Sequence, residues 1–394
     1  MPTRDDDHTG ARIRDHRKLA RLTQRQLADR IPFSYSLLNQ VECGARPASV
    51  DFIAAVARAL RIDVTTLTGQ PYVTELQKDR LAELVRPIRE ALDLYDLGPD
   101  PDLTIRPAGQ LVAAADDLCR TVRATRLRNA AIALPDLIAE LTTAAWQAQT
   151  TELWQALAST YRTAHDVSVK LGYFDLSAVA LDRMEWAAAR ASDPLLAAVR
   201  QYMRALNYFR EGGYTTGLRL IGSGHGILRQ ATPGRDTTAV TGQLHLGASV
   251  IAARARNADL TETHLAEAAA LAEQTGDAAD VHWLSFGPAN VDLHRMSAAV
   301  EMRRYGAALQ QARQMRLPAT LATSRRAHFY VDRARSEMET GRSEAALGSL
   351  VEARRAAPEQ TRYHPGARET ISGLVHAARR TPETLSGMAA WIGL

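Results

Sequence analysis

Apolar residues recur through this chain at the three- and four-residue spacing of amphipathic helices, and runs of β-branched residues are scarce. The pattern is clearest near the N-terminus. "GARIRDHRKLAR" predicts a basic helix over 10–21 with Ile13 and Leu19 on its inner side. A second helix is expected over Gln24–Arg30, with Leu27 and Ala28 inward, Ile31 closing the apolar set and Thr23 as N-cap. Ser34 caps a third helix, on which Leu37, Leu38 and Val41 form an i, i+1, i+4 stripe, and Gly44 is a permissive C-terminal residue. "RPASVDFIAAVARAL" and the short turn "DVTTL" complete five helices by Leu67.

Beyond "TGQPYVTELQ" the chain turns to long Ala/Leu/Arg helices divided by Gly, Pro and Asp. Hairpin turns are expected at Gly172, Gly213, Ala258, Tyr305 and Gly341, spaced by 41, 45, 47 and 36 residues, as in arrays of helical hairpins. Stops between hairpins fall at Pro194, Pro233, Gly276, Pro318 and Pro358. In "TELQKDRLAELVRPIREALDLYDL" Pro87 is expected to bend or divide a helix before the loop "GPDPD".

At 394 residues, 46% of them apolar and only 6% aromatic, the chain is long enough for two or more helical units. The formal net charge of +4 is mild, but residues 10–61 carry ten Arg or Lys against four Asp or Glu. That local excess is expected of a phosphate-binding surface. Two cysteines, Cys43 and Cys119, make no disulfide framework and are read as free thiols in a reducing cytoplasm. No apolar run approaches the ~18 residues of a membrane span, and the polar start "MPTRDDDHTG" is not a signal peptide, so a cytoplasmic protein is expected.

The stretch "LTQRQLADRI…S…LLNQVECGARPAS" resembles the XRE (lambda-repressor-like) helix-turn-helix family, with Thr23, Gln24, Leu27, Ala28, Ser34, Glu42, Gly44 and Pro47 in register over about residues 10–69. It departs from that family at "IPF", where a Gly-containing turn is usual; Pro32 cannot adopt positive φ, so the turn has to be rebuilt or shifted. The resemblance implies that the third helix enters the major groove of double-stranded DNA. Its outward positions are Tyr35, Ser36, Asn39 and Gln40; Asn and Gln can pair with adenine, and Ser or Tyr with base or phosphate. Ser34, Gln24 at the second helix's positive end and Arg46 in the following loop complete the expected DNA contacts. Glu42 reads as structural, capping or pairing with a nearby basic residue.

In the remainder, "FYVDRARSEMETGRSEAALGSLVEARRAAPE" resembles the tetratricopeptide (TPR) signature, with Tyr330 and Ala334 on one helix and Ala346, Leu350, Ala353 and Pro358 on the next. The other units are degenerate, so an irregular TPR-like α-solenoid is expected, with a concave surface for ligands or partner proteins. This order of parts resembles RRNPP-type peptide sensors and, more closely, actinobacterial HTH–TPR regulators, in which a segment like "WLSFGPANVDLHRM" recurs. Gly287–Pro288 must kink or interrupt a helix there, freeing backbone groups that Asn290 could bond. Two readings stay open for Asn290, a ligand contact or internal satisfaction of a superhelical kink. Trp283, Phe286, Asn290 and His294, with Asn207 and His245, are the expected ligand contacts; Arg200, Arg204, Arg325 and His328 are further polar residues for the concave face.

Enzyme chemistry has little support. The eleven histidines form no H-E-x-x-H pattern, no Cys cluster has metal-ligand spacing, and "IGSGHG" follows no strand and precedes no Lys, so a loop or irregular helix is expected there. No catalytic residue, metal or cofactor is expected. The chain reads as all-α: a disordered tail over 1–9, the DNA-binding unit over 10–69, a helical linker with the first solenoid helices over 70–150, and a TPR-like ligand-binding and dimerisation unit over 151–394. The expected function is a homodimeric, effector-responsive transcriptional regulator that binds a DNA operator and a signalling peptide or small molecule. An interaction scaffold that binds a partner protein is the alternative.

Overall fold

The fold, a computed structural model, describes residues 8–69, 75–378 and 382–393. Among these residues the only regular elements are helices, apart from one isolated antiparallel bridge between Ala278 and Phe286. The expected N-terminal tail lies outside the described residues up to position 7, and so do residues 70–74 of the expected joint. No described helix is long and apolar enough to cross a membrane.

Five helices form the first unit: α1 (Thr9–Leu19), α2 (Gln24–Ala28), α3 (Tyr35–Glu42), α4 (Val50–Leu60) and α5 (Val64–Thr68). The first helix begins within the stretch expected as tail, because His8 Nδ1 accepts the Ala11 amide at 3.2 Å and caps it. Ile13, Leu27, Leu38, Val41, Phe52, Val56 and Leu67 build a core separate from the rest of the molecule. Leu19, expected inside, is 75% exposed, since six residues of helix carry it roughly 120° round α1 from the buried Ile13. Arg12 closes the unit by donating from Nε to the Leu67 carbonyl at 2.8 Å.

The body continues through α6 (Glu75–Asp93), α7 (Ala108–Arg123) and α8 (Leu127–Ala148). Pro87 lies inside α6 without dividing it. Hairpins follow: α9 (Thr151–Leu171) with α10 (Phe174–Ala191), α11 (Pro194–Arg210) with α12 (Tyr214–Leu228), and α13 (Arg235–Arg254) with α14 (Ala258–Thr275). Two more pairs are α15 (Pro288–Glu301) with α16 (Tyr305–Gln314) and α17 (Thr323–Glu339) with α18 (Ser343–Ala356). Three shorter helices, α19 (Pro358–Tyr363), α20 (Pro365–Ala377) and α21 (Glu383–Ile392), end the described chain.

All five turns within hairpins fall where glycine or a short polar step is spaced in the sequence; Gly172 at φ 89° and Gly341 at φ 77° adopt the left-handed conformation that ends a helix. Small residues let the paired helices close: Ala334, Ala346 and Ala353 are each fully buried, as is the larger Leu350 that packs with them. "IGSGHG", expected to be loop or irregular, is regular helix within α12, where packing outweighs glycine's low helix propensity. Gly217 faces the Ala205 carbonyl and Gly224 faces Leu244, where a Cβ would sit 3.3 and 3.0 Å from these neighbours, a tight fit.

Candidate nucleic-acid interface and ligand cavity

The first unit holds α3 rigidly from behind. Arg17 and Glu42 form a two-pronged ion pair, with Nε to Oε1 and Nη2 to Oε2 both at 2.7 Å, and both residues are buried. The third Arg17 contact, Nη1 to the Leu22 carbonyl at 2.8 Å, ties in the turn before α2. This bidentate geometry binds α1 to the C-terminal end of α3. Thr23 accepts the Gln26 amide at 3.2 Å, while Gln26 Oε1 accepts the Thr23 amide at 2.8 Å, completing a capping box. Ser34 caps α3 by accepting the Leu37 amide at 3.2 Å.

The turn between α2 and α3 contains no residue at positive φ. It is rebuilt around side chains instead: Ile31 is buried, and Phe33 packs edge-on against Phe52 with ring centroids 5.1 Å apart. Pro32 lies exposed between these two anchors.

Ser34, Tyr35, Ser36, Asn39, Gln40 and Arg46 are all exposed, with Leu38 and Val41 buried on the opposite face of α3. Gln24 is half-buried and already engaged. Its amide donates to Glu42 Oε2 at 2.8 Å and to Asn39 Oδ1 at 3.3 Å, and Tyr35 donates its hydroxyl to Gln24 Oε1 at 3.2 Å. A phosphate at Gln24 would therefore have to displace the Asn39 contact. Lys18, Arg21, Arg25 and Arg30 are exposed on the same unit and add to its positive surface.

The body encloses a cavity of 330 Å³ between α9, α11, α13, α15, α17 and the start of α20, with Val50 of α4 at its edge. Its volume lies in the range of small-molecule sites. Seven cationic side chains line it against three carboxylates. Arg123 pairs with Asp166 at 2.8 Å, and Arg254 forks onto Glu301 at 2.6 and 2.8 Å. Arg335 lies 3.7 Å from Glu369. Arg162, Lys170, Arg210 and Arg325 have no carboxylate partner among the described residues.

Burial shapes the charges here. It lowers the Lys170 ammonium to about 7, with Arg123, Arg325 and Arg210 adding to the effect and Asp166 opposing it. It also lowers Arg162 and Arg210 to about 10 each. His294 is pushed down to about 3 and His328 to about 4, by burial first and then by Arg325. Burial raises the Asp332 carboxyl to about 6 although the Ser297 hydroxyl bonds it.

The segment 277–287 forms one edge of this region. Ala278 donates its amide to the Phe286 carbonyl at 2.9 Å, and a short 3₁₀ turn covers Val281–Trp283. His282, Trp283 and Ser285 have φ of 44°, 51° and 62°, left-handed values that cost non-glycine residues energy and persist only where surroundings enforce them. The enforcing contacts are visible. Arg162 donates to the His282 carbonyl, and Phe286 is fully buried against Gly242, where a Cβ would come within 2.0 Å of the ring. Gly287, at φ 153°, precedes Pro288, the first residue of α15.

Of the six ligand contacts expected from the sequence, only His294 lines the cavity. Trp283 and Phe286 are not at helical spacing from Asn290, since the irregular segment separates them. Trp283 donates from Nε1 to Asp116 at 3.3 Å with Arg120 over its ring, on the side of α7. Asn207 donates to Ser177 and accepts from Arg210. His245 belongs to a separate row with His225 and His264, its Nδ1 2.9 Å from that of His264. Asn290 is 1% exposed; it donates to Gln243 Oε1 at 3.4 Å, while its own Oδ1 is buried with no hydrogen-bond partner. Gln243 in turn donates to the Tyr202 hydroxyl at 2.8 Å, and Tyr202 lines the cavity. Asn290 is thus one step behind the wall.

Arg325 and His328 do line the cavity, while Arg200 is spent on the Leu181 carbonyl and Asp182. Sequence reasoning missed Arg162, Lys170 and Arg210. The available signal was Lys170 itself, one of three lysines in the chain, placed on the inner helix of the first hairpin.

Residues 8–68 match a family described as a helix-turn-helix domain. A propionyl-CoA carboxylase regulator of Cereibacter sphaeroides is 33% identical over 130 residues, which are 32% of this chain and 26% of that protein. Two uncharacterized HTH-type transcriptional regulators of Mycobacterium tuberculosis are 41% identical over 58 residues, 15% of this chain and 41% of each relative. The chain thus spans between about a quarter and two fifths of the length of these curated relatives. Among solved structures, Bacillus thuringiensis PlcR in complex with the peptide PapR7 and DNA is similar with a TM-score of 0.33 and 14% identity, over 89% of this chain and 94% of that one. With the capped α2 and α3 held at Arg17–Glu42, the matched residues make the first unit of this chain a helix-turn-helix domain.

Proposed function

We propose that this chain is a sequence-specific, DNA-binding transcriptional regulator of the cytoplasm whose helical body senses a small effector and mediates dimerisation. The observation that carries the reading is the exposed face of α3. Tyr35, Ser36, Asn39 and Gln40 face solvent on a helix that is capped at Ser34 and clamped through Glu42. Side chains of these types on a rigid helix can read base edges in the major groove, while Arg46 and the basic flank hold phosphates. The relatives that share this unit are named as regulators, which supports the same reading. One such helix contacts too few base pairs for useful specificity, so two copies over paired half-sites are the natural arrangement.

The effector part rests on the cavity that touches α4 at Val50 and on the strained 277–287 segment beside it. A ligand there would bear on both the head's support and this strained backbone segment. Selection of duplexes from a random-sequence library by the full-length chain tests the first part. Enrichment of a two-fold symmetric motif is expected; recovery of random sequence alone would favour the partner-binding scaffold instead.

A further inference from the structure

We infer that the body cavity is built for an anionic small molecule with an apolar portion, its carboxylate or phosphoryl group held by Arg162, Lys170, Arg210 and Arg325. This rests on the reading of the cavity as the effector site and adds the chemical class. The four cations come from three helices, α9, α11 and α17, and converge on one space. Each is under-used in the structure. Arg162 is 2% exposed, yet its Nε and Nη2 have no hydrogen-bond partner. Lys170 donates to the neutral Gln360 Oε1 at 2.6 Å, and Arg210 reaches the Leu206 carbonyl and Asn207 Oδ1 at 3.2 and 3.1 Å. Arg325 has neither an ion-pair nor a side-chain hydrogen-bond partner among the described residues.

Cationic groups brought together out of bulk water in excess of their counter-charges destabilise a folded protein unless something compensates. The usual compensation is present elsewhere in this same cavity, at Arg123–Asp166 and Arg254–Glu301. The other four have no carboxylate at ion-pair distance among the described residues, and Arg162, Lys170 and Arg210 share Asp166 as a nearby charge already paired with Arg123. That leaves a site for an oxyanion, to which guanidinium and ammonium groups donate charge-assisted hydrogen bonds. Met203, Phe209 and Phe329 line the same space and supply the apolar surface for the rest of the ligand.

Calorimetry and thermal shift on the full-length chain with eight-carbon probes test this. Octanoate and octanamide have the same shape and differ in charge, octylamine reverses the charge, and octyl phosphate with inorganic phosphate separates carboxylate from phosphoryl preference. The expected result is that at least one eight-carbon anion binds roughly ten- to a hundredfold more tightly than octanamide. The double variant Lys170→Met, Arg325→Gln should lose that discrimination and keep its octanamide affinity. Its unliganded melting temperature should hold or rise, because two like charges have been removed; the single variant Arg325→Gln serves if the double one fails to fold. Equal binding of octanamide or octylamine, discrimination that survives in the variants, or no binding of any anion would overturn the inference. If anions bind with discrimination but leave operator affinity unchanged, the anion site stands and the effector reading falls.

Discussion

Arg303, in the turn after α15, places its Nη2 2.7 Å from the Asp51 carboxylate on α4, and its guanidinium lies 5.5 Å from the Phe33 ring centroid. One cation of the body thus meets both the fourth helix of the head and the residue that anchors the turn before α3. Burial works against the Asp51 charge, but the Ser49 hydroxyl and Arg303 together hold the carboxyl below its usual range. Beside this pair, Arg58 donates to the Gly212 carbonyl and the Val50 amide reaches Glu369 at 3.4 Å. The head is therefore seated on the body through α4, away from the exposed face of α3.

A double-mutant cycle over Asp51→Asn and Arg303→Met, read by thermal unfolding, should give a coupling of about 0.5–1 kcal/mol, modest because the arginine keeps contact with water. In the presence of a ligand that alters operator affinity, either substitution should shrink that alteration. A coupling indistinguishable from zero would mean that the head does not dock here in solution.

Glu42 bears on stability more than on recognition. Glu42→Ala would leave Arg17 buried without its counter-charge and Gln24 without its principal acceptor, so the head should lose about 3–5 kcal/mol. Operator binding should fail with it, as loss of helicity in an unfolded head. Retention of wild-type head stability would show that the buried pair is weaker than its geometry implies. Glu42→Gln, which keeps one acceptor oxygen but loses the charge and sets an amide NH2 against a donor, should fall between wild type and Glu42→Ala.

The head and the hairpin turns were legible in the sequence because their determinants are local. Thr23, Ser34 and Gly44 act within one or two turns of chain, and small residues such as Ala334 and Ala346 follow helical spacing. Leu19 failed because six residues after Ile13 is not a spacing that returns to the same helix face. Of the cavity, only His294, Arg325 and His328 were legible. Arg162, Lys170, Arg210 and Arg325 are scattered over more than 160 residues and meet only when three helices pack. In a chain so rich in arginine, only the lack of carboxylate partners marks Arg162 and Arg210, and partners are a property of the fold. The segment around Gly287 was recognisable as an interruption, yet the fate of Asn290 depended on Gln243 and Tyr202, far away in sequence.

For recognition, Asn39→Ala and Gln40→Ala should each cost about 1–3 kcal/mol on the selected operator and leave non-specific duplex binding nearly unchanged. Arg46→Ala should weaken binding to all sequences alike and lower the salt dependence by about one counterion. Anisotropy titrations at several salt concentrations separate the two patterns. Losses of equal size on operator and random duplex for Asn39 or Gln40 would remove them from base readout.

The cavity should also couple anion binding to protons through Lys170. Its folded-state value is about 7 against an ordinary 10.5, so between these limits the unfolded chain holds a proton that the folded chain lacks. Stability contributed by this group therefore rises with pH across that window. A bound anion favours the ammonium form, so above pH 7 binding must take up a proton and octanoate affinity should fall by up to about tenfold per pH unit. The surrounding groups do not mask this. Asp166, held at about 2 by Arg123 and Arg162 against burial, and Asp332, at about 6, are both ionised above pH 7. His294, His328 and His364 are kept neutral by burial, and Arg162 and Arg210, at about 10, stay charged up to pH 9. Calorimetric titrations in buffers of different ionisation enthalpy should show close to one proton taken up per site at pH 8.5, about half a proton at pH 7 and near none at pH 6 or below for this group. Lys170→Met should abolish the dependence between pH 7 and 9. An octanoate affinity that is flat across that interval in the unsubstituted protein would place Lys170 outside the anion's reach.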